Sequence, residues 1–473
     1  MAQQGFTRAV VLDEAIVFQQ CDENAADSLR PGADKLLIRL SRSGLFVGLF
    51  FRSDISARKS QALREIGVSK GLHLIQTFSD QSQVLSEAQC VVVCAEKNLE
   101  EFKASLDSSW NFIAAEDSTL QLESLPFAIT SLIKKELGNK ITLVGHCMNW
   151  KREKDLLQRG ALPFMSTFGM SFTPLDLSSS LDRQLSVVDI VLNKATDEIV
   201  SVSKVVSDTN EKWINFSDRF NKLERYLQEH PDIHVVDPTD RVTPLMDRVA
   251  TQSLLEELPL IEVAAGGPIV RPPRCVKVTG FDDAALFDKL KSANLVVPTI
   301  VKPQIACGAS ESHTMAIVFE DRGYSNLAVP LPAVIQEYVD HQSVIFKFYV
   351  LGEQVFYSTR KSTPDAVVLR TMINTEAPSI VFDSLKTLPT GRAVDEKAAE
   401  SALDITAMRS TAAVLRRKLG LTIIGFDVVV HSHTRDHVIV DVNYFPTFKD
   451  VPDTEAVPAF WKALQESRNT RTI

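Results

Sequence analysis

Two aspartates in a predicted β-hairpin near the carboxyl end of the sequence are the residues best suited to chemistry. The segment GFDVVVHSHTRDHVIVDVNYFP has two apolar strands joined by the turn HSHTRD, which centres near Thr434. Antiparallel pairing about that centre sets Asp427 opposite Asp441, because both lie equally far from it. Since side chains alternate between the faces of a strand, Asp441 and Asn443 project on the same side. The hairpin is therefore expected to aim three oxygen donors at one point.

Such a group of oxygen donors predicts a magnesium site. Like charges directly opposite each other destabilise a β-ladder, so two facing carboxylates in apolar strands are expected mainly where a cation lies between them. Carboxylate and amide oxygens suit Mg²⁺, with nucleotide phosphates and water completing its shell. The alternative is an ordinary hairpin in which Asp427 and Asp441 face solvent. The apolar flanks and the facing geometry favour the metal site.

Three lysines interrupt apolar strands elsewhere in the sequence. Lys194 ends DIVLNKA, Lys302 lies in VVPTIVKP, and Lys347 lies in SVIFKFYV. A lysine in such a strand is costly unless its ammonium group reaches an anion or water, and each one alone could extend to the surface. Together with the predicted metal site, the three indicate a cavity for several phosphates. The small-residue loop ACGASESHT around Gly308 could bind phosphate oxygens through its backbone amides.

The pattern of predicted elements indicates an α/β protein. From Thr7 to about Leu137, short apolar runs alternate with helix-compatible stretches, which predicts a small parallel sheet with helices. The helical segment SLIKKELGN ends this module at Gly138. Farther on, EKWINFSDRFNKLERYLQEH predicts a helix, AAGGPIVRPP predicts a surface loop, and strands then dominate. A helix ending at Gly420 precedes the last hairpin.

Length, charge and cysteine spacing exclude several classes of protein. A chain of 473 residues suggests roughly three or four compact units, and a formal charge of -9 argues against a general nucleic-acid binder. The six cysteines form no CxxC pair, so neither a zinc site nor a disulfide framework is indicated. No apolar run approaches the ~20 residues of a membrane span, and the start has no signal-peptide pattern. We expect a soluble monomer in the cytoplasm or nucleus, with neither a membrane nor a nucleic-acid partner.

Known nucleotide motifs narrow the kind of ATP site. The sequence has no GxxxxGK[ST] segment, so it has no P-loop, and it has neither the HRD nor the DFG element of protein kinases. A site for ATP must therefore use another architecture.

Six segments from about Thr142 to Trp461 resemble the inositol-tetrakisphosphate 1-kinase family, also called inositol 1,3,4-trisphosphate 5/6-kinases. They are VGHCMNWKREK, DIVLNKATDEI, LMDRVATQSLL, TIVKPQIACGASESHTMAIVF, VIQEYVDHQSVIFKFYVLGE and GFDVVV with VIVDVNYFP. The resemblance implies an α/β and α+β fold, an ATP-grasp core preceded by a small additional α/β domain. We place the domains at residues 1–138, 139–240, 241–340 and 341–473, as extra domain, substrate-side domain, central domain and carboxyl-terminal domain.

The resemblance also implies an activity and a set of site residues. The expected reaction transfers the γ-phosphoryl group of ATP to a hydroxyl of an inositol tris- or tetrakisphosphate, with Mg²⁺, most simply two ions, as cofactor; whether it also runs in reverse stays open. ATP contacts are expected from Arg248, Lys302, the segment from Gln336 to Val339, Arg360 and Ser362. Substrate contacts are expected from Arg152, Lys194, His313, Lys347, Asn443 and Thr447, and metal contacts from Asp427, Asp441 and Asn443. The catalytic group comprises His313, Lys347 and Asp441, with a binding and electrostatic role for His313 unless it is a structural loop histidine.

Three departures from the family pattern leave alternatives open. Arg152 stands where the family has a lysine, the loop containing His313 is one residue longer, and Thr447 replaces a glycine. An arginine can still bind phosphate in a bidentate manner, but with different geometry. One alternative is therefore a catalytically weak inositol phosphate-binding protein. Another is an ATP-grasp carboxylate–amine ligase, which would share the hairpin but would not require Lys194 and Lys347 to face a second polyanion.

The amino-terminal module resembles the extension of the long plant subtype of this family. Its segment VVLDEA has a superficial likeness to the first motif of haloacid dehalogenase-like phosphatases, but the second aspartate of that chemistry is missing. We therefore expect Asp13 to be a strand-end aspartate rather than a nucleophile, and the module to be structural or regulatory.

Overall fold

The computed structural model describes residues 8–18, 29–77, 85, 89–106, 109–115, 122–202, 214–259, 261–262, 267–282, 285–308, 310–372, 377–386, 389 and 400–469. The chain divides into two compact units. The first comprises residues 1–192 and 225–234, and the second comprises residues 193–224 and 235–473.

The first unit begins with a parallel sheet, as the alternation of strands and helices predicts. In the described residues its strand order is β3-β2-β1-β4-β5. The strands are β1 (Arg8–Asp13), β2 (Phe46–Phe50), β3 (His73–Ile75), β4 (Gln89–Ala95) and β5 (Asn111–Ala115). Helices at Glu14–Val17, Ala33–Ser41, Ala57–Lys70, Leu99–Ser105 and Leu125–Leu137 connect and follow them.

The packing of strand β1 shows why the strands of this sheet are continuous apolar runs and do not alternate between apolar and polar residues. Val10 and Leu12 pack into one hydrophobic cluster, whereas Ala9 and Val11 pack into another on the opposite face. Because both faces of a parallel sheet are covered, its strands are apolar throughout.

A second sheet of the first unit contains β6 (Thr142–Cys147), β7 (Met170–Pro174) and β8 (Ile190–Asn193), with β6 and β7 parallel. Helices Trp150–Gln158 and Leu181–Leu185 accompany it. The first of these helices starts at Asn149, whose side chain accepts a hydrogen bond from the backbone N–H of Arg152 at 3.0 Å. This N-cap fixes the helix that carries the predicted substrate residue Arg152.

His146 on β6 makes the first unit sensitive to acid. It is buried, and burial lowers the pKa of its imidazole to about 4 from the ordinary value of 6.5. Between these values the unfolded chain binds a proton that the folded chain does not, so stability is lost as the pH falls from about 6.5 toward about 4.

We expect the variant His146→Gln to remove part of this acid sensitivity. Lowering the pH from 7.5 to 5.5 should destabilise the wild type by about 1 kcal/mol more than the variant. Thermal unfolding at the two pH values measures the difference. An equal shift of the melting temperature in both proteins would contradict the assignment to His146.

The second unit contains a hairpin and two larger sheets. The hairpin pairs β9 (Ile199–Val202) with β10 (Ile214–Phe216), and β11 (His234–Val236) lies where the chain returns to this unit. One sheet is antiparallel, in the order β14-β17-β15-β16-β20. Its strands are β14 (Cys275–Val278), β15 (Thr299–Pro303), β16 (Thr314–Val318), β17 (Ala333–Glu337) and β20 (Ser379–Asp383).

The other sheet has the order β12-β13-β22-β21-β18-β19. Its strands are β12 (Ile261–Glu262), β13 (Ile269–Arg271), β18 (Val344–Leu351), β19 (Gln354–Lys361), β21 (Ile423–Val430) and β22 (His437–Tyr444). Helices of the second unit lie at Thr239–Val242, Arg248–Glu256, Leu286–Ser292, Ala366–Met372, Ile405–Leu419 and Asp453–Asn469. Gly420, at φ 63°, ends the helix before the hairpin, as predicted.

Two predicted elements are wrong in part. The helix predicted from Glu211 begins only at Asp218, since Ile214–Phe216 is a strand. Phe220 and Leu223 form the buried face of this helix. The predicted loop AAGGPIVRPP contains β13, which pairs in parallel with β22. Both strands depend on partners elsewhere in the chain, so their own residue patterns do not reveal them.

In the described residues no helix combines the length and apolar character needed to span a membrane.

Candidate active site

A cavity of about 480 Å³ in the second unit brings most of the predicted site residues together. Strands of both large sheets contribute to its wall. The predicted residues that line it are Lys194, Arg248, Lys302, His313, Gln336, Val339, Lys347, Ser362, Asp427, Asp441 and Asn443.

The two aspartates of the hairpin face each other, as the sequence predicts. Asp427 on β21 pairs with Asp441 on β22. The pairs nearest the turn, such as Val430 with His437, are one residue out of the register that this pairing requires. A β-bulge between Asp427 and Val428 restores it. Equal spacing about the turn thus identifies the right partners, but the bulge is what brings them opposite each other.

A lysine lies next to the aspartate pair. Lys347 on β18 is directly opposite Asp427 in the neighbouring ladder, and its Nζ lies 2.6 Å from Oδ2 of that aspartate. Lys347, Asp427 and Asp441 therefore form a row across three adjacent strands. We call these three residues the charged row.

The donors at this row fit a hard divalent cation. Burial, together with the neighbouring carboxylate of Asp441, raises the pKa of Asp427 to about 6, and the charge of Lys347 counteracts this rise. Asn443 donates a hydrogen bond from Nδ2 to Asp441 at 3.1 Å, which places its amide beside the carboxylates. Two carboxylates that repel each other beside an amide oxygen are a donor set that Mg²⁺ relieves and binds. Among the described residues, no group of three or more His, Cys, Asp or Glu side chains is arranged to hold a metal ion, so the proposed donor set here consists of two carboxylates and an amide.

Two further cations lie in the cavity wall near the aspartates. Lys302 donates from Nζ to the carbonyl oxygen of Val440 at 3.2 Å. Burial lowers the pKa of Lys302 to about 8, although the nearby Asp441 favours the charged form. Arg248 donates to the carbonyl oxygens of Pro303 and Ile305 at 2.6 and 2.9 Å, which attaches it to the end of β15. Both side chains are thus held where anionic groups in the cavity can reach them.

The segment from Gln336 to Val339, here called the hinge, comprises the last two residues of β17 and the two residues that follow it. His341 donates from Nδ1 to the carbonyl oxygen of Val339 at 2.5 Å. Glu337 in the hinge pairs with Arg271 and Arg274, the latter at 2.6 Å. These partners restrict the backbone of the hinge.

Lys194 and His313 have partners inside the second unit. The ammonium group of Lys194 donates to the carbonyl oxygen of Tyr444 at 2.6 Å and lies 4.3 Å from the centre of its ring. His313 is half-buried, with Nδ1 3.3 Å from the hydroxyl of Ser384. Burial and the charge of Arg248 lower the pKa of His313, so the imidazole is neutral at neutral pH.

Three predicted site residues do not line the cavity. Arg360 pairs with Asp450, which also accepts hydrogen bonds from Tyr349 and Ser358. Thr447 lies in the loop after β22, and Arg152 belongs to the first unit. The predicted extra residue falls in the loop before His313, in which Ala309 lies outside the described residues.

The cavity also contains residues that the sequence did not single out. Lys361 and Cys307 line it, as does Glu337, which the sequence indicates only as part of the segment from Gln336 to Val339. A carboxylate at the end of an apolar strand is unusual, so the sequence could have indicated Glu337 as a site residue. A lysine on an exposed strand such as β19 is common, so Lys361 could not have been recognised in this way. Burial raises the pKa of the Cys307 thiol, so this cysteine is not an activated nucleophile.

The two sheets with a cationic cavity, a restrained hinge and facing carboxylates define the ATP-grasp class. Family models agree with this assignment. Residues 268–461 match "Inositol 1,3,4-trisphosphate 5/6-kinase ATP-grasp domain", residues 143–242 match the corresponding pre-ATP-grasp domain, and residues 1–135 match "ITPK4, N-terminal HAD-like domain".

The chain belongs to the inositol-tetrakisphosphate 1-kinase family. It is 36% identical to inositol-tetrakisphosphate 1-kinase 6 of Oryza sativa subsp. indica over 501 residues, covering 100% of this chain and 91% of the relative. It is 28% identical to inositol-tetrakisphosphate 1-kinase 1 of Zea mays, covering 68% and 89%. Among solved structures it is similar to D-alanine–D-alanine ligase from Bacillus anthracis, at 15% identity and a TM-score of 0.40, covering 70% and 98%. The family models and the full-length relative from rice confirm the family resemblance and the predicted fold class.

The match of residues 1–135 shows that the likeness of VVLDEA to haloacid dehalogenases extends over the whole module. Asp13 ends β1 and is fully buried. It accepts hydrogen bonds from Asn98 at 2.5 Å and from Arg52 at 3.4 Å, and it caps the following helix. The neighbouring Glu14 pairs with Lys59 and Arg52. These internal partners agree with a structural aspartate.

Proposed function

We propose that this protein transfers the γ-phosphoryl group of ATP to a hydroxyl of an inositol tris- or tetrakisphosphate, with Mg²⁺ as cofactor. The observation that carries the proposal is the charged row of Lys347, Asp427 and Asp441 in a cavity that also contains Lys302, Arg248 and Lys194. The relatives named above are inositol-tetrakisphosphate 1-kinases. The expectation of a monomer in the cytoplasm or nucleus remains part of the proposal.

ATP occupies the part of the cavity bounded by the hinge in this proposal. Gln336 and Val339 bind adenine through backbone groups, and Ser362 lies nearby, with its N–H bonded to the carbonyl of Ser343 at 2.7 Å. Lys302 and Arg248 bind the phosphates, because both are cations fixed in the cavity wall. Arg360 would have to leave Asp450 to take part.

Asp427, Asp441 and Asn443 hold the metal in this proposal, and two ions are the expected number. The metal supplies positive charge that neutralises the phosphate oxygens during transfer. Lys347 pairs with Asp427 through Nζ at 2.6 Å. A metal bound by Asp427 would compete with this ion pair, and the ammonium group of Lys347 would then be available to the substrate. The row therefore connects metal binding with the exposure of a substrate cation.

The inositol phosphate meets Lys194, Lys347, His313 and Asn443, and the resemblance adds Arg152 and Thr447. Phosphoryl transfer passes through a loose transition state, so the protein chiefly aligns the attacking hydroxyl and stabilises charge. A neutral His313 can donate a hydrogen bond to the transferred group without acting as a general base. His313, Lys347 and Asp441 are the residues closest to this chemistry in the proposal.

Turnover of ATP against a panel of inositol phosphates, with product isomers resolved by chromatography, tests the proposed function. We expect Mg²⁺-dependent formation of a more highly phosphorylated inositol and an equal amount of ADP. ADP release that depends on a carboxylate and an amine would instead identify a ligase. Binding of inositol phosphates without turnover would identify a binding protein, and the same panel with ADP measures the reverse reaction.

A further inference from the structure

The helix Trp150–Gln158, which carries Arg152, is held by side chains of the amino-terminal HAD-like domain. Arg39 donates from Nε and Nη2 to the two carboxylate oxygens of Glu153 at 2.7 and 2.9 Å. Their side chains are only 9% and 5% exposed. All these residues belong to the first compact unit. A buried bidentate pair of this kind fixes both position and orientation.

The same helix face makes a second contact with the HAD-like domain. The guanidinium of Arg39 lies 5.4 Å from the ring centre of Trp150, and the ammonium of Lys35 lies 5.7 Å from it. Trp150 and Glu153 are three residues apart, so they lie on one face of the helix, and Arg152 lies on another. One face is therefore bound to the helix Ala33–Ser41, and the contact does not use the face of Arg152.

Further contacts join the HAD-like domain to the domain that contains this helix. The N–H of Met165 donates to the carbonyl of Ser43 at 3.0 Å, and Lys134 pairs with Asp189 at 2.6 Å. Gly44 has φ 73°, and a Cβ there would lie 2.3 Å from the carbonyl oxygen of Met165. The backbones are thus packed too closely for a side chain, and the HAD-like domain is a fixed part of the unit.

Electrostatics agree with a tight pair. Burial favours the neutral form of Glu153, but the hydrogen bonds and charge of Arg39 outweigh this and hold the pKa of the carboxyl below its ordinary value. A helix of nine residues has little stability by itself. Its orientation therefore depends on what its buried face contacts.

We propose that the HAD-like domain serves the kinase reaction by holding the helix of Arg152 in the orientation that binds the inositol phosphate, with Arg39 and Glu153 as positioning residues. This inference rests on the proposed function, in which Arg152 contacts the substrate. It gives the domain a role that uses neither Asp13 nor any chemistry of phosphatases.

Steady-state kinetics of the full-length variant Arg39→Gln test this role. We expect the KM for the inositol phosphate to rise about tenfold, because a loosened helix misplaces its substrate contact. The KM for ATP should stay within about twofold, since the hinge and Lys302 belong to the other unit. Arg39→Lys keeps the charge but loses the bidentate geometry, so its substrate KM should be intermediate. Arg58→Gln, which changes an exposed arginine of the same domain, is the matched control.

An unchanged substrate KM in Arg39→Gln would overturn the inference, and so would an equal rise of both KM values with a lowered melting temperature. If Arg39→Gln does not fold, Arg39→Lys and Glu153→Gln decide by the same criteria. If the wild-type protein turns over no inositol phosphate, the proposed function itself is wrong. This outcome differs from an unchanged substrate KM in the variants, which can be measured only when the wild type is active.

Discussion

The variant Asp441→Ala is expected to lose ATP-dependent phosphorylation of inositol phosphates by about a thousandfold or more. Asp441 lies opposite Asp427 and beside Asn443, so its removal deletes the central oxygen donor of the proposed metal site. Metal neutralisation of phosphate charge supplies several kcal/mol of transition-state stabilisation, which corresponds to this loss of rate. ATP consumption and inositol phosphate products are the quantities to measure.

The variant Asp321→Asn is a suitable control for Asp441→Ala. Asp321 is an exposed carboxylate of the same unit outside the cavity wall, so its replacement should leave turnover unchanged. Circular dichroism and the melting temperature should show a folded protein for both variants. Near-normal turnover by Asp441→Ala would contradict the metal assignment.

Replacement of Lys194 by methionine is expected to raise the KM for the inositol phosphate about 10- to 100-fold, with the KM for ATP nearly unchanged. A charge-assisted hydrogen bond contributes about 1.5–3 kcal/mol, which sets this range. Methionine preserves most of the length of the side chain. Charge reversal is less informative, because Lys194 is buried against the carbonyl of Tyr444 and a carboxylate there would disturb the fold.

Lys222→Met is the matched control, because Lys222 is an exposed lysine of the same unit on the helix Asp218–Glu229. Its kinetic constants should equal those of the wild type. If Lys194→Met raises both KM values equally, then Lys194 maintains the structure of the cavity and does not bind the substrate specifically.

The facing aspartates illustrate how far the sequence leads toward the site. Equal spacing about the turn and apolar flanks suffice to pair Asp427 with Asp441, and the structure has that pair. The bulge between Asp427 and Val428 is invisible in the sequence, because it follows from how the strands fit the whole sheet. Local pattern thus predicts the donor pair but not the register shift that produces it.

The lysines in apolar strands show more clearly what the sequence does not predict, which is the partner of each side chain. Their cost within apolar strands predicts that each needs an anion, water or another partner, but the partners lie far away in the sequence. Lys194 contacts Tyr444, which is 250 residues distant, and Lys347 contacts Asp427, which is 80 residues distant. The family resemblance supplied roles for these residues that their spacing alone could not.

The secondary-structure elements also differ in whether local sequence suffices to predict them. The first parallel sheet is predictable because short apolar runs alternate with helix-compatible stretches along this part of the sequence. Strand β13 was predicted as a loop, because its order comes from pairing with β22 and from Asp436, which accepts hydrogen bonds from Ile269 and Arg271. The contact of Arg39 with Glu153 joins residues 114 positions apart and has no signal in either segment.

A crystal structure with a non-hydrolysable ATP analogue and Mn²⁺, located by its anomalous signal, tests the central claim most directly. We expect the ion to be bound directly by carboxylate oxygens of Asp427 and Asp441, with the phosphates of the analogue beside Lys302 and adenine at the hinge. An ion or nucleotide bound elsewhere, with both carboxylates turned away from it, would contradict the account.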